Sequence, residues 1–237
     1  MTAPTTAPPT LRRLLPHPAA AISVRAAYDV ERPERSDRPW VGLCMVTSLD
    51  GSIAVGGTSG TLGNANDLEI LLTLRSLADL LLVGAGTVSG EGYGPPKKPG
   101  QRIGVVTNRG SVDLDSALFT SGAGFVITSE RTEIDDSRVD VLRAGRDQVD
   151  IATALGRLDE VTPGVRYVQA EGGARFNASL LDADVIDELD LTLSPHLVGG
   201  VGPRLTAGAD EAMRDYALAH LLADDEGFVF SRWLRAC

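Results

Sequence analysis

The chain has 237 residues and a formal net charge of -10, with 43% hydrophobic and 23% charged residues, which is typical of a globular protein with one large domain. The acidic excess argues against a nucleic-acid-binding face, because phosphate backbones need clustered Lys and Arg. No apolar segment approaches the roughly 20 residues that a membrane-spanning helix needs. The two cysteines, Cys44 and Cys237, offer neither zinc-ligand spacing nor a redox pair, so we expect a cytoplasmic protein without metal, nucleic-acid or membrane partners.

The first 38 residues differ in composition from the rest of the chain. They are rich in Pro, and residues 31–35 are mostly charged. This composition predicts a disordered tail over the first ten residues, a short docked segment around Leu11 to Tyr28, and then a linker. We therefore place the main domain at residues 39–237.

From Trp40 onward, apolar runs that fit strands alternate with segments that fit helices. Strands are predicted at 41–46, 80–83, 102–107, 124–128, 139–142, 165–170, 188–194 and 227–234. Helices are predicted at 151–158, at 173–181, and at 66–78 with Asn66 as the N-cap. This alternation predicts an α/β fold with a mostly parallel central sheet between two helical layers, and with the last two strands as an antiparallel edge pair.

Two of the predicted strands end at glycines that open a helix. One runs into Gly84-Ala85-Gly86 and the other into Glu171-Gly172-Gly173. Glycines at a helix start leave backbone N–H groups accessible at the positive end of the helix dipole, and such groups bind phosphate oxygens. Two of these sites in one domain predict a pyrophosphate held from both sides, and hence a dinucleotide enzyme.

The strand that follows the first glycine motif ends in Thr107-Asn108-Arg109. An NAD site would place an Asp or Glu near this point for the ribose hydroxyls. A hydroxyl, an amide and a guanidinium suit a 2′-phosphate instead, so the segment favours NADP(H), although a solvated polar loop explains it equally well. A Rossmann fold fits poorly, because its glycine motif belongs on the first strand of the sheet.

Three motifs occur in order along the chain: the segment 45–54 with Ser48-Leu49-Asp50-Gly51, the segment 74–87, and Glu171-Gly172-Gly173 followed by a strand at Asp187-Glu188-Leu189. Together they resemble the pyrimidine reductase domain of riboflavin biosynthesis, here in a form without the deaminase domain found in bifunctional bacterial enzymes. The resemblance covers roughly residue 39 to the C-terminus. It implies a dihydrofolate-reductase-like three-layer α/β/α fold, NADPH as cofactor, and hydride transfer to a ribosylamino-pyrimidine.

The resemblance also implies which residues surround the cofactor. Those expected near the nicotinamide, its ribose and the pyrophosphate are Thr47, Asp50, Thr61, Gly84, Gly86, Thr87 and Glu91. The pyrophosphate would also lie on the run Gly172, Gly173, Ala174, Arg175, Phe176 and Asn177, and the 2′-phosphate on Thr107, Asn108 and Arg109. For Asp50 a purely structural role is the stronger interpretation, because an Asp-Gly turn usually needs only its backbone geometry.

Ser59, Arg75 and Glu171 match family positions that hold the pyrimidine substrate. Two N–H groups of an amino-pyrimidine edge suit the carboxylate of Glu171, which otherwise would be an acidic partner of a helix N-terminus. No residue stands out as a proton donor.

Two departures from the family pattern leave the substrate open. Cys44 stands where bacterial riboflavin reductases usually have Lys, and residues 92–98 replace a loop that carries an Arg. Lys98 remains as the candidate for a ribose 5-phosphate, with the charge but not the bidentate fork of Arg. The alternatives are a reductase of the same fold that acts on another substrate, such as dihydrofolate, or a non-catalytic NADP-binding protein.

The C-terminal strand alternates Phe228, Phe230 and Trp233, which predicts a large apolar face near a sheet edge. Exposed edges are normally covered, and the family resemblance implies a dimer through this region. We therefore expect a homodimer.

Overall fold

An eleven-stranded sheet runs through residues 10–236, the part of the chain described by this computed structural model. The strands are β1 (Thr10–Leu15), β2 (Ala19–Ser23), β3 (Trp40–Thr47), β4 (Leu80–Gly84), β5 (Arg102–Val106), β6 (Gly124–Thr128), β7 (Val141–Arg143), β8 (Tyr167–Ala170), β9 (Glu188–Leu193), β10 (Tyr216–Ala223) and β11 (Val229–Arg235). The helices are α1 (Val24–Tyr28), α2 (Ala65–Leu77), α3 (Ala85–Glu91), α4 (Ala117–Thr120), α5 (Ile151–Gly156) and α6 (Ala174–Asp182).

Strand direction divides the sheet into two regions. The spatial order is β2-β1-β10-β11-β9-β3-β8-β4-β5-β6-β7. From β9 to β7 all neighbouring strands run parallel, and we call this part the parallel region. The strands β11, β10, β1 and β2 run antiparallel to their neighbours and form the antiparallel region. The predicted fold class, a mostly parallel sheet with antiparallel strands on one side, is confirmed.

Helices cover both faces of the sheet. Leu80 and Leu82 of β4 pack in a cluster with α5 and α6, which includes Phe176. The alternate residues Leu81 and Val83 belong to the cluster that contains α4. Successive side chains of a strand point to opposite faces, so the two clusters lie on opposite sides of the sheet, as a three-layer fold requires.

The antiparallel region is larger than the sequence predicts. The docked segment predicted around Leu11 to Tyr28 forms β1, β2 and α1, and β1 pairs with β10. Strand β10 itself is absent from the sequence prediction, which assigns no element to the polar stretch between its last two strands. The sheet thus continues into residues before position 39, and the domain boundary placed there remains a prediction.

The expectation that the C-terminal strand lies at a sheet edge is wrong, because β11 lies between β9 and β10. Phe228 and Phe230 are buried in a cluster with Tyr28 of α1 and Leu74 of α2. Trp233 is half-buried on the opposite face. The aromatic alternation therefore reflects a strand with one face fully covered by helices.

Helix α2 begins two residues earlier than a cap at Asn66 would allow. The side-chain oxygen of Asn64 accepts from the backbone N–H groups of Asn66 and Asp67, both at 3.1 Å, so Asn64 is the N-cap. The side chain of Asn66 donates instead to Asp224 at 2.9 Å. Both Asn residues suit a cap, and tertiary contacts decide between them.

Two acidic residues next to each other attach the residues before β3 to the sheet. The buried carboxylate of Glu188 accepts from Arg32 of that segment and from Arg232 of β11, with nitrogen–oxygen distances of 2.8 to 3.0 Å. Asp187 accepts two bonds from Arg38, at 2.6 and 3.0 Å. This cluster lies at the start of β9, remote from the strand ends that carry the glycine motifs.

Candidate active site

The two glycine motifs lie side by side at the carboxyl ends of neighbouring strands. Strands β4 and β8 are paired, and the N–H of Gly84 donates to the carbonyl of Gly172 at 2.7 Å. Helices α3 and α6 therefore begin next to each other. The sequence predicts this juxtaposition only through the general rule that parallel strands end at the same edge of a sheet.

Glycine is required where the two motifs approach each other. A Cβ atom on Gly173 would lie 2.8 Å from the hydroxyl of Thr87, and one on Gly84 would lie 3.2 Å from the Cβ of Phe176. Gly172 has a φ of +84°, a conformation that other residues rarely adopt. Around Gly86, by contrast, a Cβ would meet nothing within 4 Å, so its backbone borders open space.

The first turns of α3 and α6 have no side-chain cap, in contrast to α1, α2 and α5. The first N–H groups of a helix have no partner within the helix. At α6 the side chain of Phe176 is buried in the core, and Asn177 donates to the carbonyl of Leu205 at 2.7 Å. A ligand at this end would therefore meet backbone N–H groups and the exposed side chain of Arg175.

Thr107, Asn108 and Arg109 follow β5, the neighbour of β4. The Thr107 hydroxyl accepts from the N–H of Arg109 at 3.2 Å, and the Asn108 oxygen accepts from the N–H of Val149 at 2.7 Å. The Thr107 bond stabilises its own loop, and the Asn108 bond ties this loop to the segment before α5. Arg109 is exposed and forms no ion pair with any residue from 10 to 236, so it is the member of the three that can bind an anion.

A cavity of about 630 Å³ opens between α2 and the segment that follows α3. Its walls include the predicted substrate residues Ser59, Arg75 and Lys98 together with Glu91. Glu91 accepts from the backbone N–H of Ser59 at 2.7 Å, which joins the two sides of the entrance.

Glu171 holds the guanidinium of Arg75 beside this cavity. Arg75 donates through Nε to Oε1 at 2.7 Å and through Nη2 to Oε2 at 2.6 Å. The Tyr93 hydroxyl donates to the same Oε2 at 2.6 Å, and its ring centre lies 5.1 Å from the Arg75 guanidinium carbon. The N-cap of α6 is Gly173, so interpreting Glu171 as a partner of the helix N-terminus is wrong.

These contacts change the acid–base properties of the two partners of Glu171. Burial lowers the pKa of Arg75, but the hydrogen bonds and charge of Glu171 outweigh it and raise the pKa above its ordinary value. Burial, followed by the negative charge of Glu171, raises the pKa of Tyr93 well above its usual range. At neutral pH, Arg75 is therefore charged and Tyr93 carries its proton.

Tyr93 is the site residue that the sequence analysis missed. It lies in the run 92–98, which the sequence identifies only as a departure from the family pattern. A single aromatic residue between Gly92 and Gly94, in a loop next to the first glycine motif, was the available signal. Its partner, however, is 78 positions away in sequence.

Lys98 lines the cavity, but its ammonium already has one partner. It donates to the carbonyl of Ala78, the C-cap of α2, at 2.6 Å, and Gln101 donates to the same oxygen at 2.8 Å. An ammonium has three donors, so two remain for a ligand. Lys97 lines the same cavity and is exposed.

Asp50 is held by contacts within the protein. Its carboxylate accepts from the Ser48 hydroxyl at 2.6 Å and from the N–H groups of Val198 and Gly199 at 3.0 and 2.9 Å. The bond from Ser48 and then the two backbone bonds lower the pKa of Asp50 below its usual range. These bonds fasten the turn after β3 to the loop after β9, in agreement with the structural interpretation of this residue.

Thr47 and Thr61 differ in their surroundings. Thr47 is buried at the end of β3, where its carbonyl accepts from the N–H of Ser194 at 2.7 Å. Thr61 is exposed in the loop before α2. No contact between described residues joins the two, so a shared role depends on a ligand between them.

Cys44 does not replace the charge of the Lys that bacterial family members carry. It is partly buried on β3 opposite Asp190 of β9. Burial, and then the charge of Asp190, raises the pKa of the Cys44 thiol well above its ordinary value. The position therefore holds a neutral thiol.

Residues 10–236 contain neither a candidate membrane-spanning helix nor a candidate metal-binding group. None of the helices within residues 10–236 is long and apolar enough to cross a membrane. Over the same residues, His, Cys, Asp and Glu side chains form no group of three or more that could hold a metal ion.

Comparison with known proteins agrees with the geometry. Residues 39–230 match the family described as the RibD C-terminal domain. The 2,5-diamino-6-ribosylamino-4(3H)-pyrimidinone 5′-phosphate reductase of Methanothermobacter thermautotrophicus is 27% identical over 179 residues, 69% of this chain and 81% of the relative.

Two solved structures share the fold. A pyrimidine reductase-like protein from Corynebacterium diphtheriae has a TM-score of 0.77 and 23% identity, over 90% of this chain and 98% of its own. The riboflavin biosynthesis reductase Rib7 of Saccharomyces cerevisiae has a TM-score of 0.67 and 22% identity, over 86% of this chain and 93% of its own. The family indicated by the sequence motifs is thus confirmed, and the chain belongs to the RibD C-terminal domain family of reductases.

Proposed function

We propose that this protein is an NADPH-dependent reductase that acts on a ribosylamino-pyrimidine 5′-phosphate. The observation that carries the proposal is the Arg75–Glu171 pair: Arg75 lines a ligand-sized cavity, and Glu171 directly precedes the glycines at the uncapped start of α6. The names of the curated relatives support the substrate class, because they are reductases of a ribosylamino-pyrimidinone 5′-phosphate.

The residues at the strand ends fit a dinucleotide. The backbone N–H groups at the start of α6, beside Gly84 and Thr87, would hold the pyrophosphate, and Arg109 would bind the 2′-phosphate. Gly173 leaves room for close approach of the phosphates, because any side chain there would collide with Thr87. When bound, NADPH would supply the hydride for the reduction.

The chain itself binds and orients the pyrimidine. Arg75, held by Glu171, would provide fixed donors, while Leu71 and Leu72 provide apolar walls of the cavity. Lys98 and its neighbour Lys97 would bind the 5′-phosphate at the outer end, since both line the cavity and carry unused donors. Ser59 and Glu91 would border the entrance.

Absorbance of the reduced nicotinamide tests the proposal. We expect purified protein to oxidise NADPH in the presence of the ribosylamino-pyrimidine 5′-phosphate and not in the presence of dihydrofolate. Turnover with dihydrofolate alone would identify another reductase of the same fold. Binding of NADPH without turnover on either compound would identify a non-catalytic NADP-binding protein.

The cofactor preference has its own test. Arg109→Ala should weaken NADPH binding by about 1–3 kcal/mol, the usual contribution of a hydrogen bond to a charged group, and leave NADH binding unchanged. Arg12→Ala, which removes an exposed arginine from β1, is the matched control and should affect neither cofactor. Equal losses of NADPH and NADH binding in Arg109→Ala would show that Arg109 is structural.

We also propose that the protein is a homodimer. The face of β9, β10 and β11 that points away from α1 and α2 carries Leu191, Leu218, Leu221 and Trp233, all half-buried. A second copy of this face would cover these apolar side chains. Light scattering at micromolar concentration should give twice the mass of the chain, and the mass of a single chain would contradict the proposal.

A further inference from the structure

We propose that Tyr93 is a positioning residue for the substrate, whose hydroxyl and ring hold Glu171 and Arg75 in place so that the unused donors of Arg75 bind an acceptor atom of the pyrimidine. This inference rests on the proposed function. It assigns a role to a residue that the family motifs do not include.

The hydrogen-bond capacity of the carboxylate carries the first step. An ionised carboxylate has about four acceptor positions, two on each oxygen. Oε2 of Glu171 receives two donors, Arg75 Nη2 and the Tyr93 hydroxyl, each at 2.6 Å. Oε1 receives only Arg75 Nε, at 2.7 Å. The side chain of Glu171 is 3% exposed and does not line the cavity, so its carboxylate acts on a ligand through Arg75.

The unused donors of Arg75 carry the second step. Its Nη1 has no hydrogen-bond partner among residues 10–236, and its side chain is 30% exposed at the cavity wall. A guanidinium has five N–H donors in a fixed fork, and Glu171 uses only two of them. Arg75 thus presents unused donors to the cavity, while Glu171 and Tyr93 hold its guanidinium in place.

Donors held in this way suit an acceptor atom on the ligand. A pyrimidinone carbonyl oxygen satisfies the unused donors of Arg75, whereas a group that only donates would leave them unpaired. Because Tyr93 and Glu171 together fix the guanidinium, loss of the Tyr93 hydroxyl should loosen it and weaken the binding of that oxygen.

Tyr93 also restricts the movement of the pair. Its ring centre lies 5.1 Å from the guanidinium carbon of Arg75, which is within the range of a cation–π contact. The raised pKa of Tyr93 keeps the phenol protonated, so it remains a donor at all pH values near neutrality. A single side chain therefore contacts both members of the substrate-binding pair.

Replacement of the hydroxyl alone tests the inference. Tyr93→Phe keeps the ring near Arg75 and removes the donor to Glu171. We expect KM for the ribosylamino-pyrimidine to rise about tenfold, with kcat and the Kd of NADPH changed less than about twofold, because the lost interaction orients the substrate equally in ground and transition states. Tyr216→Phe is the matched control, since its hydroxyl donates to the carbonyl of Ile186 outside the cavity.

A double-mutant cycle distinguishes positioning from general destabilisation. In the Glu171→Gln background, Tyr93→Phe should raise KM by less than about twofold further, because the carboxylate that it orients is already absent. Three results would each overturn the inference. The first is a KM in Tyr93→Phe equal to that of the unmodified protein, and the second is an equal KM in Tyr93→Phe and Tyr216→Phe. The third is a double variant in which the KM increases caused by Tyr93→Phe and Glu171→Gln multiply.

The same experiment separates this inference from the proposed function. Failure of the unmodified protein to oxidise NADPH with the pyrimidine would overturn the proposed function, and this inference with it. Turnover by the unmodified protein with an unchanged KM in Tyr93→Phe would overturn this inference alone.

Discussion

Two glutamates on the same sheet show how differently one ion pair can be used. In the parallel region, Glu171 is paired with Arg75, whose side chain is 30% exposed to a cavity. Where the antiparallel region begins, Glu188 is paired with Arg32 and Arg232, whose side chains are only 8% and 9% exposed. The chemical groups are the same, and what differs is whether the cations can reach a ligand.

The number of donors makes the contrast sharper. Glu188 accepts five hydrogen bonds, two from each arginine and one from Trp40. Glu171 accepts three. Both carboxylates are themselves buried, with side-chain exposures of 3% for Glu171 and 0% for Glu188. Exposure of the arginine partner thus separates a structural pair from a functional one.

The largest effect on stability is expected from loss of the buried pair that Glu188 forms with Arg32 and Arg232. Glu188→Gln removes the carboxylate that accepts four hydrogen bonds from two buried arginines and should reduce the free energy of unfolding by about 3–5 kcal/mol, measured by urea denaturation. Glu34→Gln is the control, because its pair with Arg166 is about three-quarters exposed, and such pairs contribute about 1 kcal/mol or less. Similar losses of stability in the two variants would show that the buried Glu188 pair contributes no more than the exposed Glu34 pair.

Acid should act on the same cluster. Burial raises the pKa of Glu188, but the two arginines outweigh it and lower the pKa to about 2. A carboxyl with a lowered pKa in the folded state stabilises the protein above its ordinary pKa, and this stabilisation is lost as the pH falls through the folded value. The contribution of Glu188 is therefore complete at neutral pH and declines only in strong acid.

His220, opposite Arg232 on β10, gives the next largest effect. Burial, followed by the charge of Arg232, lowers its pKa from 6.5 to about 4. Below pH 6.5 the unfolded chain binds a proton that the folded protein resists, so stability should fall between pH 6.5 and 4 by about 3 kcal/mol, at ~1.4 kcal/mol for each unit of pKa. Urea denaturation at several pH values should show a shallower decline in His220→Leu. Equal slopes in the two proteins would contradict the assignment.

The smallest effect on stability is expected at the Glu171–Arg75 pair. Glu171→Gln leaves Arg75 in contact with the solvated cavity, so its free energy of unfolding should change less than that of Glu188→Gln. We expect kcat/KM to fall about tenfold, equivalent to ~1.4 kcal/mol, with the Kd of NADPH nearly unchanged. Loss of NADPH binding together with unfolding would show that Glu171 is structural, like Glu188.

The sequence predicts the parallel region well because its strands are short apolar runs, and β4 and β8 are followed by glycines. Strands β4, β6 and β8 are buried at every position. The antiparallel region is less predictable: β1 lies in a Pro-rich segment, and β10, its partner, is about 200 positions away in sequence. The pairing of such distant segments depends on the whole fold and leaves little local pattern.

The residues of the candidate site likewise divide into those that the sequence predicts and those that it does not. The glycine motifs were predicted, because a helix start after a parallel strand imposes a local backbone requirement. The partners of Asn108, Lys98 and Tyr93 were not, because each is set by a chain segment that folds back from elsewhere. A residue type indicates which bonds a side chain can form, and only the folded structure determines whether those bonds are already used.

The position of β1 has a practical consequence for N-terminally truncated forms of the protein. The family match begins at residue 39, so a shortened protein that starts there would look complete by sequence comparison. It would lack β1 and Arg32, leaving β10 with an unpaired edge and Glu188 with one arginine. Bare strand edges pair with other chains. We expect such a fragment to aggregate, while the chain from residue 10 onward stays dispersed.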